Sequence, residues 1–334
     1  MKSHIMKSCD PLVSVIVLSY NHSDTVARAI DSVLALRAQC PDLEIVVGDD
    51  GSSDGCYEIC KEYAELYPDT IRLMPREPNM GVVLNYFRCL KACRGEFVTD
   101  CAADDCRLPG TWLVQQINML RNNPDIVAVG SDWVERRNGN DIKSSLNDAH
   151  SSWRTVVSGR DMMFGVLGAV GRFPVPLSAM LYRRCAIDVD SHMVCNPEFG
   201  CEDLPLVCAL GAAGNFGFVS EESLLYFVNN ESISNTATQS RLLSFYHKVL
   251  VCRLTLASHY HAYVPQVNYA ISHGIKFVVG LAFDSGDKRW IQAVKATVFE
   301  NRCRVPLSAR FKLFIARYSL LWRIARTFKR YVKR

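Results

Sequence analysis

The first third of the chain alternates between two hydrophobic patterns. Val13–Ser19 is a continuous, largely β-branched run, as in a strand buried on both faces. Beyond it, Ser23 has the chemistry of an N-cap, and Val26, Ile30, Val33 and Leu34 follow at helical spacing. The pattern repeats. Leu43–Gly48 reads as a strand, and Asp54 as the cap of a helix carrying Tyr57, Ile59, Cys60, Tyr63 and Ala64. Thr70–Met74 is a third strand, followed by a helix with Val83, Leu84, Phe87, Cys89 and Leu90, then a fourth strand, Glu96–Asp100. Strands separated by helices predict a mostly parallel sheet with right-handed crossovers, whose ligands sit beyond the strands' carboxyl ends.

The pattern then loosens. A helix over Leu108–Asn122 and a strand over Ile126–Val129 lead into residues 135–152, polar enough to read as a loop. An acidic pair, Glu202-Asp203, precedes an apolar helical stretch, Leu204–Ala213, and Phe216–Val219 and Leu224–Val228 read as two strands. Helices are expected near 241–260, 264–283 and 287–300. No stretch of 18 apolar residues is present, so no spanning helix is expected, and MKSHIMKSCDPLV lacks a signal-like apolar core.

Charge changes this picture in one place. Residues 301–334 hold eleven Lys or Arg and no Asp or Glu, whereas residues 1–300 carry a net charge of −7. The body is therefore no nucleic-acid surface. Fourteen cysteines without a CxxC pair read as small buried hydrophobes in a reducing cytoplasm rather than as a zinc site.

The predicted carboxyl ends are rich in polar chemistry. Ser19-Tyr20-Asn21 follows the first strand, Asp49-Asp50-Gly51-Ser52 the second, and Ala103-Asp104-Asp105 the fourth. Each is also what a turn or helix cap needs. Three such loops on one sheet edge are what a nucleotide site requires.

These motifs carry a resemblance. VSVIVLSYN (Val13–Asn21), EIVVGDDGSSDG (Glu44–Gly55), NMGVVLNYFRCLKACRGEFV (Asn79–Val98), AADDCRLP (Ala102–Pro109) and CEDLPLVCAL (Cys201–Leu210) occur in the order seen in inverting family 2 glycosyltransferases. The chain resembles that family from about residue 11 to 234. The resemblance implies a GT-A fold, an α/β architecture with a mostly parallel sheet flanked by helices, plus a helical C-terminal region. It implies a catalytic domain over 1–235 (nucleotide half 11–130, acceptor half 131–235), helices over 236–304 and a tail helix over 305–334.

The resemblance also implies roles. Asp49 would accept a hydrogen bond from uracil, Asp50 would orient the turn, and Ser19, Tyr20 and Asn21 would hold base and ribose. Asp104, with Asp105 and Asn229, would hold Mn²⁺ or Mg²⁺ against the donor's diphosphate. Asp203 would be the catalytic base for a single inverting displacement, with Glu202 orienting it. The sequence departs from the family twice: Ala102 stands where an acid is usual, and Phe227 and Asn229 replace a basic residue and a His. A stretch over 172–178 (RFPVPLS) matches a region that often lines the acceptor pocket.

In the tail, Phe311, Phe314, Ile315, Tyr318, Leu321, Trp322, Ala325 and Val332 recur at steps of three and four among basic residues. Such a helix suits an anionic membrane interface, or else packs its aromatic stripe on the body or on a second subunit with the Arg and Lys side chains solvated. The expected activity is metal-dependent hexosyl transfer from a nucleotide-diphosphate sugar, UDP-linked by expectation, to a saccharide or polyprenyl-linked oligosaccharide. The family context suggests bacterial surface-polysaccharide (O-antigen) assembly at the inner face of the plasma membrane. Two alternatives remain at this point. A sugar nucleotidyltransferase usually has a Gly-rich basic loop after strand one, which Tyr20-Asn21-His22-Ser23 lacks. A non-catalytic membrane scaffold is favoured by Ala102 and Asn229 and opposed by the retained Asp49, Asp104, Asp105 and Asp203.

Overall fold

The buried run Val13–Ser19 forms strand β1, flanked by β2 (Leu43–Asp49) and β4 (Phe97–Ala102), both parallel to it. The computed structural model describes residues 12–144, 156–170, 175–228 and 238–332. Strand β3 (Ile71–Leu73) adds to β2, so β3-β2-β1-β4 are all parallel. Helices α1 (Val26–Leu34), α2 (Cys56–Leu66) and α3 (Val82–Ala92) make the crossovers. Helix α4 (Trp112–Asn122) follows the short strand β5 (Cys106–Arg107).

Beyond β4 the sheet is mixed. Strand β9 (Met180–Arg183) inserts antiparallel between β4 and β6 (Ile126–Arg137). Strand β10 (Asn215–Phe227) runs parallel to β6, and β5 pairs antiparallel with β10. Strand β10 is one strand with register shifts between Val219 and Leu224, not the two expected from sequence. Its polar Ser220-Glu221-Glu222-Ser223 centre hides the continuity.

The expected loop over 135–152 is corrected in its first part. Strand β6 continues to Arg137 and turns back as β7 (Asn140–Ser144). Asn138 and Gly139 both take positive φ (50° and 80°), which a tight hairpin turn requires. The polarity that suggested a loop reflects an exposed edge strand. Residues 145–152 lie outside the described residues. Strand β8 (Val156–Val157) pairs with β10.

Two expected caps shift. Helix α1 is preceded by Thr25, not Ser23, and has no side-chain cap bond. Ser23 instead donates its N–H to Asp54 Oδ2 at 2.8 Å. Gly55, at φ 94°, precedes α2, with Asp54 Oδ1 accepting from Cys56 N–H at 3.1 Å. The core beside the parallel strands joins Val15, Val17 and Ile45 to Val26, Ile30 and Val33 of α1 and to fully buried Trp112 of α4. The described thiols, Cys40 to Cys303, are all free.

The chain divides into two compact units. The first comprises residues 1–166, 173–197 and 201–228, and holds the sheet and helix α6 (Asp203–Ala213). Helix α5 (Gly159–Gly168) runs across the boundary in sequence. The second unit is helical: α7 (Gln239–His259), α8 (Pro265–Ser285), α9 (Lys288–Glu300), α10 (Leu307–Ile315) and α11 (Ser319–Val332). The expected single tail helix is thus two helices. Trp322 also departs from expectation: it is buried, donating Nε1–H to the Phe283 carbonyl at 2.9 Å. Its indole N–H needs an acceptor, and the carbonyl near the end of α8 supplies one. Phe311, Phe314, Tyr318 and Leu321 stay exposed as expected.

Candidate active site

Chain order reverses at β1, with β2 and β3 on one side and β4 on the other. A doubly wound sheet opens its crevice at such a point. The loops after β1, β2 and β4 all lie there.

The first two loops are laced together. Ser19 Oγ donates to Asp49 Oδ1 at 3.1 Å, and Ser52 donates to the same carboxylate through its N–H at 2.9 Å and through its hydroxyl. Asn21, in the left-handed region at φ 56°, donates its N–H to Ser52 Oγ at 2.8 Å, and its Oδ1 accepts from Ser53 N–H at 2.9 Å. Ser19 and Asn21 therefore shape the loop. Asp49 is buried, and three donors occupy three of its roughly four lone-pair positions, leaving one. Asp50 accepts from Met80 N–H at 2.8 Å and Gly81 N–H at 2.9 Å, pinning the segment before α3. Between them, Gly51 takes φ +75°, and a Cβ there would meet Asn79 N at 2.7 Å. Tyr20 is different: it is 49% exposed, the aromatic face this end offers to a ligand.

At the end of β4 the two acids of AADD separate. Asp105 is buried, and its Oδ1 accepts from Phe227 N–H at 2.9 Å, tying the turn to β10. Its Oδ2 has no partner among the described residues. Burial, then the charge of Asp104, push Asp105 well above the usual carboxylate range. Asp104 is half-buried. Arg28, from α1, donates Nη2–H to the Asp104 carbonyl at 2.9 Å. Its guanidinium lies 4.2 Å from the Phe227 ring centroid, with Arg136 at 5.4 Å from the same ring. Phe227 is thus a platform for two cations. Arg28 carries no signal in the sequence, because it is one more basic residue on a helix face until α1 is docked.

The acid pair sits at the start of α6. Glu202 precedes the helix but makes no side-chain capping bond. Asp203 Oδ1 accepts from Leu204 N–H at 2.6 Å. Loss of water around Glu202, reinforced by the Asp203 charge, pushes Glu202 up to about 8. Glu202 is therefore largely protonated near neutral pH. Tyr226 connects the two acidic groups. Burial raises its phenol to about 12, and the charges of Asp105, Asp104, Glu135 and Asp203 all add to that rise.

One acid there was not singled out from sequence. Asp100, on β4, is buried, accepts from Ser178 Oγ at 2.7 Å through Oδ2, and has no partner for Oδ1. Burial raises it to about 6, with Arg107 opposing and Asp203 adding. A charged residue in an apolar strand was the available signal. An acid raised in the folded state holds a proton that the unfolded chain has released. Its contribution to stability is therefore lost as pH rises from about 4 through 6. Asp100→Asn, whose amide oxygen can still accept from Ser178, is expected to raise stability at pH 7.5 by about 3 kcal/mol and leave it unchanged near pH 3.5. Denaturant midpoints at the two pH values check this.

Asn229 and residues 172–174 lie outside the described residues. Ser178 of the RFPVPLS stretch is described and is held by Asp100.

A sequence model of glycosyl transferase family 2 matches residues 14–181, half the chain. The chain belongs to glycosyl transferase family 2. The putative glycosyltransferase EpsE of Bacillus subtilis is 31% identical over 121 residues, 36% of this chain and 42% of that protein. The uncharacterized glycosyltransferase YibD of Escherichia coli is 29% identical over 163 residues, 49% of this chain and 43% of that protein. An uncharacterized protein of Mycobacterium bovis is 34% identical over 113 residues, 34% of this chain and 32% of that protein. The matches thus span less than half of those relatives. Among solved structures, S. aureus TarS 1-349 in complex with UDP superposes with a TM-score of 0.60 at 17% identity, covering 95% of this chain and 91% of that one. The same protein in complex with UDP-GlcNAc gives 0.53 at 15% identity, covering 86% and 88%. The fold is therefore shared with a GT-A-like glycosyltransferase.

The residues of this family 2 chain fit a hard divalent cation of one kind. Among the described residues, no three His, Cys, Asp or Glu side chains gather into a metal cage. A cation of the Mg²⁺ or Mn²⁺ type needs only one or two carboxylates when substrate phosphates and water complete its shell. Half-buried Asp104 would supply one such carboxylate, with buried Asp105 next to it in the turn.

Proposed function

We propose that this family 2 chain transfers a hexose from a UDP-linked donor to a saccharide or lipid-linked saccharide acceptor, with inversion at the anomeric carbon. The observation that carries this reading is the set of loops at the reversal point of the sheet, where Ser19 and Ser52 donate to Asp49 and Asp105, beside Asp104, accepts from Phe227. In this reading Tyr20 stacks on the base and the remaining lone pair of Asp49 accepts from the uracil N–H. The serine and asparagine bonds hold both residues in place. Asp104 is the direct ligand of Mn²⁺ or Mg²⁺, with Asp105 bracing the turn from behind and Asn229 a further oxygen donor. The bound cation neutralises charge on the departing diphosphate. Arg28, held beside Asp104, adds a fixed positive charge where Phe227 has replaced a basic side chain.

Asp203 takes the proton from the acceptor hydroxyl as that oxygen attacks the anomeric carbon and the bond to the diphosphate breaks. Burial keeps Glu202 protonated near neutral pH, so Glu202 is a poor base and the role falls to Asp203. Among the described residues no helix is long and apolar enough to cross a membrane. The exposed apolar and basic tail supports peripheral association with the inner face of a bacterial membrane, where lipid-linked saccharides of an O-antigen type are assembled.

A thermal-shift panel of UDP, GDP, CDP and dTDP, each with Mn²⁺ or chelator, tests the donor. UDP with Mn²⁺ at 100 times its dissociation constant is expected to add about 2.7 kcal/mol of stability. A shift with another nucleotide alone changes the donor. No shift with any, in folded protein, favours the non-catalytic scaffold.

A further inference from the structure

The helical unit contains a cavity that the transfer reaction does not use. Its volume is about 860 Å³, and it lies where the segment between α9 and α10 packs over α7 and α8. Arg302, Arg304 and Arg310 converge on it with Asn268 and Asn301, above a floor of buried Leu254. No acidic residue lines it. Arg302 takes the left-handed conformation at φ 50°, part of a tight turn closing α9. The first residues of α10 also form its wall, and a helix N-terminus presents unsatisfied N–H groups and positive potential.

A second cleft of about 580 Å³ shares Leu307 and Arg310 with the first and continues over Phe311 and Phe314. These are among the most exposed large apolar residues: Leu307 is 82% exposed and Phe311 64%. A basic, hydrogen-bonding chamber therefore opens onto an apolar track. That pairing matches an amphiphile with an anionic head and a hydrocarbon tail. A second copy of the chain is a poor occupant, because residues 301–334 carry eleven positive charges and no negative one, and two such faces repel.

We propose that this cavity is a specific site for the phosphate headgroup of an anionic membrane phospholipid, with the start of its acyl chain lying along Phe311 and Phe314. The proposal rests on the membrane reading above and sharpens it. The tail does not merely attract a negative surface; it seats one lipid in a defined place.

Two charge-matched variants separate the site from general attraction. Arg302→Gln/Arg304→Gln removes two cavity arginines, and Arg317→Gln/Arg323→Gln removes two basic residues outside the cavity lining. All four are exposed, so neither variant threatens folding. Binding is measured to phosphatidylglycerol–phosphatidylcholine vesicles by sedimentation, and to monomeric dihexanoyl phosphatidic acid by calorimetry. Loss of two surface charges alone lowers vesicle binding about 30-fold at low salt. The cavity variant is expected to lose at least tenfold more than its control, and to lose the saturable one-to-one binding of the soluble lipid that the control keeps. Equal losses in both variants, or no saturable binding by the wild type, would overturn the site while leaving vesicle attraction intact. Saturable binding of the soluble lipid without any vesicle binding would instead uphold the site and remove the membrane reading. Binding of neither lipid nor vesicle overturns both.

Discussion

Asp203→Asn is expected to abolish sugar transfer while leaving nucleotide binding within a few-fold of wild type. The amide is nearly isosteric, and Asp203 Oδ1 accepts from Leu204 N–H, a bond that an Asn oxygen also accepts. What is lost is basicity. Removing a positioned general base typically costs two to four orders of magnitude in rate. Here the loss falls at the upper end, because burial holds the neighbouring carboxyl, Glu202, in its protonated form near neutral pH and it offers no substitute base. Glu202→Gln provides the contrast: a neutral residue replaces one that is already neutral at pH 7, so most activity is expected to survive. Initial rates and nucleotide titrations of both variants check this. Near-normal turnover in Asp203→Asn would remove Asp203 as the base, and equal losses in both variants would make the pair a structural unit.

Asp104→Asn is the second large effect. Its side chain is half-buried, whereas the Asp105 carboxyl is buried and accepts from Phe227 N–H, so Asp104 is the residue we propose as the cation ligand. The variant is expected to lose the metal-dependent part of UDP stabilisation and about 10²–10³-fold in rate, the scale for removing a stabiliser of developing charge. Chelator added to the wild type should reproduce the loss, and Mn²⁺ or Mg²⁺ should reverse it. Full activity in chelator would refute the cation role. Asp105→Asn should behave differently: its amide oxygen can still accept the Phe227 N–H that joins the turn to β10, and burial already disfavours the charged carboxylate there, so the fold is expected to survive at neutral pH.

The contrast between these acids shows what one-dimensional reading reaches. AADD sits at the end of an apolar run, so its place at a sheet edge was legible from sequence. Which acid is held against β10 was not, since that depends on β10, 122 residues further along, approaching the turn. Asp49 and Asp50 show the same limit. Their loop was legible, but the serine hydroxyl, amide and glycine contacts that consume most of their bonding capacity come from the packing of three loops. Asp100 and Arg28 were missed for the same reason. A buried acid and a surface-type arginine become site residues only through Ser178 and Phe227, which the chain brings to them from afar.

The hydrophobic runs of β1, β2 and β4 and the helical spacings between them determined a parallel α/β half by local pattern alone, because buried strands and amphipathic helices each carry their own period. The same local chemistry marked the polar loops at the carboxyl ends and the basic, apolar tail. The antiparallel insertion of β9, the β6–β7 hairpin and the single long β10 were decided in three dimensions. Edge and bulged strands are polar and depend on neighbours that no local window contains. The tail makes the same point: its sequence specifies amphipathic helix, but only packing decides that Trp322 turns inward to the Phe283 carbonyl while Phe311 and Phe314 remain outside. Periodicity fixes which residues share a face, and tertiary contacts fix which face meets protein.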